Sequence, residues 1–287
     1  MHPRGRHSQR GAALLIALLA VALASVLALG LVEDQRRTLA RTQALSDSER
    51  SWQFAQGLES TVVERLRRAR RDGAGPMPLD GGWSAPFPVP GGAVRVRLIP
   101  RSDRFNLNSL ADPTPERALQ AREGLARLLT LLDLDPGLAD ALRAHLRVGG
   151  RPVMLAHVSE LGEVAEFSAA TRERLEPFVT VVPDSRSRLD VNRTSAEALA
   201  AQVPELGTEA AERLVLRGPY PRPEDLFAQP ELQALDVADL ASRLTVEGDW
   251  FLAHAEIALG DRVQDHYRLL NVSGAGYDAR YVSLGIP

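Results

Sequence analysis

The sequence has no cysteine, and all 34 of its basic side chains are arginine, so it has no lysine either. The first absence removes any disulfide framework, any thiolate nucleophile and any sulfur-ligated metal. The second removes the P-loop lysine, the Schiff-base lysine, the Ser-Lys dyad and the kinase β3 lysine, and several enzyme classes go with them. Net charge is small as well. A formal −3 over 287 residues gives no global attraction to nucleic acid or to an anionic surface. No GxSxG, GxGxxG or paired-carboxylate signature occurs, so nothing in the residues argues for an enzyme.

What the chain does have is a charge-free run from Ala12 to Val32, 21 residues with seven Ala and eight Leu, interrupted only by Ser25 and Gly30. At about 1.5 Å per residue it is long enough, as a helix, to span the hydrocarbon core of a bilayer. Arg4, Arg6 and Arg10 precede it without a single acid, and Gly11 stands at the junction. A basic leader, one glycine and an unbroken apolar helix is how a type IV prepilin-like N-terminus reads, with cleavage between Gly11 and Ala12. Glycine at that junction tolerates the extended backbone that a protease needs. Two other readings stay open at this point. Ala22-Leu23-Ala24 ahead of Ser25 has the form of a signal-peptidase site, and the run could equally be an uncleaved anchor. Arginines flank both ends (Arg36, Arg37 and Arg41 follow), so the charge distribution does not orient the span.

Beyond the run, Leu45, Trp52, Ala55, Val62, Leu66 and Ala69 keep helical spacing until Asp72-Gly73, which predicts a single N-terminal helix of about 60 residues. A Gly- and Pro-rich loop follows, from Gly73 to Gly92. Ala93 to Ile99 then alternates apolar with Arg95 and Arg97, the pattern of a half-buried strand. The next 135 or so residues read as helices: Glu116–Leu132, Gly137–Leu146, Ser159–Val164, Ser168–Leu175, a helix capped by Thr194 with Glu197 reaching back, Glu209–Arg217 and Glu224–Ala228. A repeat shows within them. Phe105-x-Leu107-Asn108 and Leu189-x-Val191-Asn192 each precede helices, and each is followed later by a short acidic-leucine step, Ser159-Glu160-Leu161 and Glu224-Asp225-Leu226. Three strands close the chain, at 249–259, 262–272 and 279–284. The order predicts an α+β protein: a head with a small antiparallel sheet, built from 73–105 and 243–287, and a helical domain at 106–242 inserted between its strands. Ahead of these come a leader (1–11), a membrane span (12–32) and the continuation of its helix (33–72).

His254-Ala255-Glu256 with Asp261, Asp265 and His266 is the densest polar cluster. Its spacing matches no HExxH-like arrangement and alternation along a hairpin accounts for it, so no metal is expected there.

Several segments in order resemble one family. They are Arg10-Gly11-Ala12, Pro86-Phe87-Pro88-Val89-Pro90-Gly91-Gly92, Phe105-Asn106-Leu107-Asn108-Ser109-Leu110, Leu175-Glu176-Pro177-Phe178-Val179-Thr180 and Asp190-Val191-Asn192-Arg193-Thr194. From Gly11 to the C-terminus the chain is similar to type II secretion system protein K, the large minor pseudopilin of the general secretion pathway. The resemblance implies a pilin-like head and a helical insertion of the SAM-like or helix-hairpin-helix-like kind. It implies cleavage by prepilin peptidase, N-methylation of Ala12, and an inner-membrane protein whose C-terminal domain lies in the periplasm. Its partners would be the major and the other minor pseudopilins, joined through helix residues such as Leu14, Leu15, Leu18, Leu19 and Trp52 at the tip of a pseudopilus that supports export of folded proteins. Most pilin-like subunits carry a glutamate at mature position five; here that position is Ile16, and in protein K the glutamate is typically absent too. Family members usually carry an acidic loop linked to calcium. The matching stretch here, from Arg143 to Pro152, holds no acid between Asp140 and Glu160, so no cofactor is expected.

The rival reading is an exported nucleic-acid-binding protein anchored in the inner membrane, because Leu189–Ala228 looks like a helix-hairpin-helix unit. Seven acids against four arginines in that block, with Glu205 in the turn, oppose phosphate binding, so no nucleic acid is expected.

Overall fold

A computed structural model describes residues 8–71, 82–272 and 278–284. Arg4 and Arg6 of the basic leader, the first half of the Gly- and Pro-rich loop, and the expected turn Gly274-Ala275-Gly276 lie outside the described residues. The long helix forms as α1 (Ser8–Arg71), 64 residues with no proline to break it. The molecule divides into two units, Met1–Phe54 and Ala55–Pro287.

In the first unit the apolar run is helical and bare, with leucines about two-thirds exposed along it. A helix that is apolar on every side belongs in a membrane or inside a core. The polar interruptions are absorbed locally. Ser25 Oγ donates to Val21 O at 2.9 Å, and Thr38 and Thr42 bond back four residues in the same way, so each hydroxyl finds a partner in its own helix.

The second unit holds a five-stranded antiparallel sheet in an α+β arrangement. Its strands β1 (Phe87–Val89) and β2 (Gly92–Pro100) are joined by Pro90-Gly91, where Gly91 takes φ +89°, a value L side chains rarely adopt. After β2 come β3 (Phe105–Asn106), α2 (Pro115–Leu131), α3 (Leu138–His145), the hairpin β4 (Arg147–Val148) and β5 (Arg151–Pro152), α4 (Ala169–Leu175) and β6 (Val179–Thr180). Next are β7 (Leu189–Asp190), α5 (Ala196–Gln202), α6 (Thr208–Arg217), α7 (Pro223–Phe227), α8 (Val237–Arg243) and β8 (Leu244–Thr245). The sheet resumes with β9 (Trp250–Leu259), β10 (Arg262–Asn271) and β11 (Asp278–Leu284), and its spatial order is β1-β2-β9-β10-β11. Thus β2 and β9, some 150 residues apart in sequence, are neighbours, with Pro100 opposite Phe251 and every helix after α1 lying between them in the chain.

Alternation sorts the sheet into two faces. Val62 and Val63 of α1 pack against Leu98, Phe251, Leu270 and Val272 on one of them, and Val63 is fully buried. From Ala55 onward the apolar stripe of the N-terminal helix is therefore covered within its own head, since the sheet needs an apolar lid and takes the helix for it.

The two sequence repeats become two structural repeats. In each, a two-residue strand opens the unit, helices follow, and a two-residue strand returns parallel to the first: β3 pairs with β6, and β7 with β8. Each has its own apolar core, one around Phe105, Leu125, Leu128 and Leu161, the other around Leu199, Leu214, Leu226 and Leu240. An asparagine two residues past each opening strand clamps the unit. Asn108 Nδ2 donates to Leu155 O (3.0 Å) and Val182 O (2.9 Å) while its Oδ1 accepts from Leu155 N (2.8 Å). Asn192 repeats this with Tyr220 O (2.9 Å), Val246 O (3.0 Å) and Tyr220 N (2.7 Å). The buried leucine of each acidic-leucine step stands six residues beyond the clamped backbone, at Leu161 and Leu226. One asparagine thus satisfies three buried backbone groups that no ladder reaches.

The repeats meet where α2 crosses α5. There Gly124 lies so close that an added Cβ would stand 2.7 Å from Ala201 O. One cap differs from expectation: α5 is capped by Ser195, whose Oγ accepts from Ala198 N at 3.2 Å, and not by Thr194. In a Thr-Ser pair either hydroxyl suits the cap, and Thr194 is buried instead.

Candidate functional site

The residues expected to meet partner helices lie on the bare part of α1. Leu14, Leu15, Leu18 and Leu19 are 65, 64, 64 and 63% exposed, whereas Trp52 is half-buried. Gly11, Ala12 and Ile16 fall within the helical backbone, and their side chains are not among those described. By length and composition α1 is able to cross a membrane, and its most apolar stretch is not buried at all. Contiguous exposed apolar surface of this extent marks an interaction or membrane surface.

The polar cluster of the C-terminal hairpin is not one site. Register places His254 and Asp265 on the outer face of the sheet and His266 on the face toward α1, while Asp261 sits exposed in the turn after Gly260. On the outer face His254 Nε2 lies 2.6 Å from Asp265 Oδ1, and its Nδ1 accepts from Arg97 Nε at 3.0 Å. Its ring stacks on Tyr267 at 4.2 Å and meets the edge of Trp83 at 4.7 Å. Arg95 binds Glu256 through two bonds of 2.7 Å, and the guanidinium groups of Arg95 and Arg97 lie 4.5 and 4.9 Å from the Trp83 ring. Each polar group has a partner, as in a structural network that fixes one face of a sheet. The sequence signalled it through the alternation of Arg95 and Arg97 and of His254, Glu256 and Asp265 along the hairpin; the part played by Trp83, in an irregular loop, had no sequence signal. On the other face burial, aided by Arg268, pushes the His266 imidazole below its ordinary range. Among the described residues no group of three or more His, Asp or Glu side chains is placed to hold a metal.

The stretch from Arg143 to Pro152, where the family's acidic loop would fall, is the end of α3 and the tight hairpin β4–β5, whose turn uses Gly149 and Gly150 at positive φ. In the second repeat the arginines are already engaged. Arg193 pairs with Asp190 at 2.6 Å, Arg213 and Arg217 with Glu231 at 3.2 and 3.0 Å, Arg222 with Asp225 at 3.1 Å, and Arg243 with Asp239 and with Glu205 of the α5–α6 turn. Nucleic-acid binding relies on cations available to phosphate, and these are neutralised within the fold.

Residues 103–184, which hold the first repeat, match the family model described as type II secretion system (T2SS), protein K. The type II secretion system protein K of Klebsiella pneumoniae is 28% identical over 93% of this chain and 94% of its own. Those of Pseudomonas aeruginosa and Pectobacterium carotovorum are 28% identical over 90 and 87%, and 26% identical over 94 and 94%, of the two chains respectively. One chain in the crystal structure of the GspK-GspI-GspJ complex from the enterotoxigenic Escherichia coli type 2 secretion system superposes with a TM-score of 0.67 at 20% identity, over 86% of this chain and all of that one. Its fold is therefore shared. With one repeat matched by the family model and relatives of the same kind aligned over nine-tenths of its length, this chain is similar to type II secretion system protein K from its N-terminal helix to its last strands.

Proposed function

We propose that this protein is a minor pseudopilin that assembles with other pseudopilins at the tip of a periplasmic pseudopilus, and that its work is assembly without turnover of a substrate. The observation that carries this reading is the bare apolar stretch of α1: Leu14, Leu15, Leu18 and Leu19 have nothing packed over them, whereas the far end of the same helix is used by the head's own sheet. The likeness to a chain from a complex of GspK, GspI and GspJ supports minor pseudopilins as partners. In this reading prepilin peptidase cuts between Gly11 and Ala12, Ala12 is methylated, and α1 holds the protein in the inner membrane with its head in the periplasm. Ile16 suits a subunit with none above it, since a carboxylate in the membrane without a neighbouring ammonium is costly. Residues 73–105 with 243–287 form the pilin-like head, 106–242 the insertion, and the β4–β5 hairpin takes no calcium.

Intact mass of the membrane-extracted protein tests the processing step. The expected species begins at a methylated Ala12, and Gly11→Leu leaves the leader attached. A start at Ser25, or a mature mass unchanged by Gly11→Leu, overturns it. Because the chain has no cysteine of its own, Leu18→Cys supplies a unique cross-linking site, expected to join the protein to another pseudopilin in cells.

A further inference from the structure

Between the outer face of the sheet and the first repeat lies a cleft of about 110 Å³, several times the ~15 Å³ that one water requires. Its lining combines aliphatic surface, Val181, Leu252 and Leu269, with two cations, Arg101 and Arg104, and one acid, Glu176. The two arginines differ. Arg104 is held by Asp103 at 3.7 Å and reaches Glu176 O at 3.4 Å. Arg101 donates its backbone N–H to Trp250 O at 2.9 Å, but its guanidinium forms no hydrogen bond or ion pair with any described residue. Burial, with Arg104 beside it, holds that guanidinium below the ordinary arginine range, and Asp103 and Glu176 pull the other way without restoring it. Thr180 also lines the cleft; it is 3% exposed, and its hydroxyl is buried without a partner. A half-buried cation that forms no ion pair with the acids near it, Asp103 and Glu176, and an unused hydroxyl are each costly in a folded protein, and both border the same space. Such costs are retained where a ligand removes them.

We infer that this cleft binds a carboxylate carried on a branched aliphatic body, with the Arg101 guanidinium as its counter-ion and Leu252 and Leu269 against its side chain. A bidentate guanidinium–carboxylate pair fits the cation, and a compact aliphatic group fits the remaining wall. The same chemistry occurs in a free acylated amino acid and in the C-terminus of a peptide ending in leucine.

Calorimetric titration of the full chain in detergent with N-acetyl-leucine, N-acetyl-leucinamide and an alanine pentapeptide extended by a C-terminal leucine tests the inference. The acid is expected to bind at least about tenfold more tightly than the amide, because only the acid supplies charge. Tighter binding of the peptide than of N-acetyl-leucine identifies a chain terminus as the source, and equal binding a free acid; either supports the site. Arg101→Gln is expected to abolish binding while leaving the thermal midpoint unchanged or raised, since a half-buried charge that forms no ion pair is removed. N-acetyl-leucine should raise the midpoint of the wild type alone. Equal binding of acid and amide, no binding of the acid, undiminished binding by Arg101→Gln, or a lowered midpoint in that variant would each overturn it.

Discussion

The two helical repeats share a plan and differ in how it is secured. Both place an asparagine two residues after a short strand position and use it to hold a backbone segment, 47 residues on in the first repeat and 28 in the second. Asn108 is wholly buried, whereas Asn192 is half-buried. The residue two places before each clamp has the same task by different chemistry. Asn106 Oδ1 accepts from Asn108 N and Val182 N at 3.2 Å, and its Nδ2 donates to Asp184 O (2.7 Å) and Ser187 Oγ (3.1 Å). Asp190 accepts from Asn192 N (3.1 Å), Gly248 N (3.1 Å) and Arg193 (2.6 Å). A neutral amide serves where there are acceptors to satisfy, and a carboxylate where a cation is at hand. The geometry of the turn, not the charge, is what the two repeats share.

Removing the clamps separates the repeats most. Asn108→Ala strands two carbonyls and an N–H in the interior and is expected to cost about 3–5 kcal/mol in urea denaturation of the full chain, against about 2 for Asn192→Ala, where water reaches part of the site. Equal costs would break the comparison. Exchanging the preceding residues comes next. Asn106→Asp buries a charge opposite a carbonyl oxygen and is expected to cost about 2–4 kcal/mol at neutral pH. Asp190→Asn should cost under about 1 kcal/mol, because burial already pushes that carboxyl above its ordinary range despite Arg193. At the seam, Gly124→Ala forces α2 from α5 and should lower stability by about 1–3 kcal/mol, a loss that fluorescence-monitored unfolding detects.

The smallest effect concerns pH. In the second repeat Arg217, with the backbone and Arg213, draws Glu231 down to about 2. A depressed carboxyl contributes stability that is complete above its unfolded value of about 4.5 and is lost as pH falls through 2. In the first repeat burial pushes Asp112 up, but hydrogen bonds from Arg186, Thr114 and Ser185 outweigh it and leave the group below its ordinary range. Glu231→Gln should therefore flatten the dependence of the thermal midpoint on pH between about 4.5 and 2 without removing it, because Asp112 still contributes.

The helices of both repeats were legible because each is long enough for apolar spacing to declare itself or has a proline or serine at its start; Pro223 and Ser168 stand where the pattern put them. The repeat itself could be read from Phe105-x-Leu107-Asn108 and Leu189-x-Val191-Asn192. The parallel pairs β3–β6 and β7–β8 could not, since two residues carry no period. Strand β1 was hidden for a related reason, three residues with a proline between Phe87 and Val89, tolerable only at a sheet edge. The resemblance made Leu14 to Leu19 candidates for assembly, and composition marked the charge-free run that holds them. Composition did not reveal that Val63 is claimed by the sheet, because a helical stripe does not say which surface will cover it. The cleft beside Arg101 escaped for a similar reason: Arg101, Thr180 and Leu252 come from three distant stretches.

The adjacency of β2 and β9 bears on how such a molecule can grow. Pro100 faces Phe251 and Arg101 N reaches Trp250 O, so the polypeptide leaves the sheet and re-enters it through one doorway. A guest whose ends already touch asks little of its host: doubling its length adds only about 0.6 kcal/mol of closure entropy. Duplicating a clamped helical unit at that doorway enlarges the exposed lobe while the five strands keep their register.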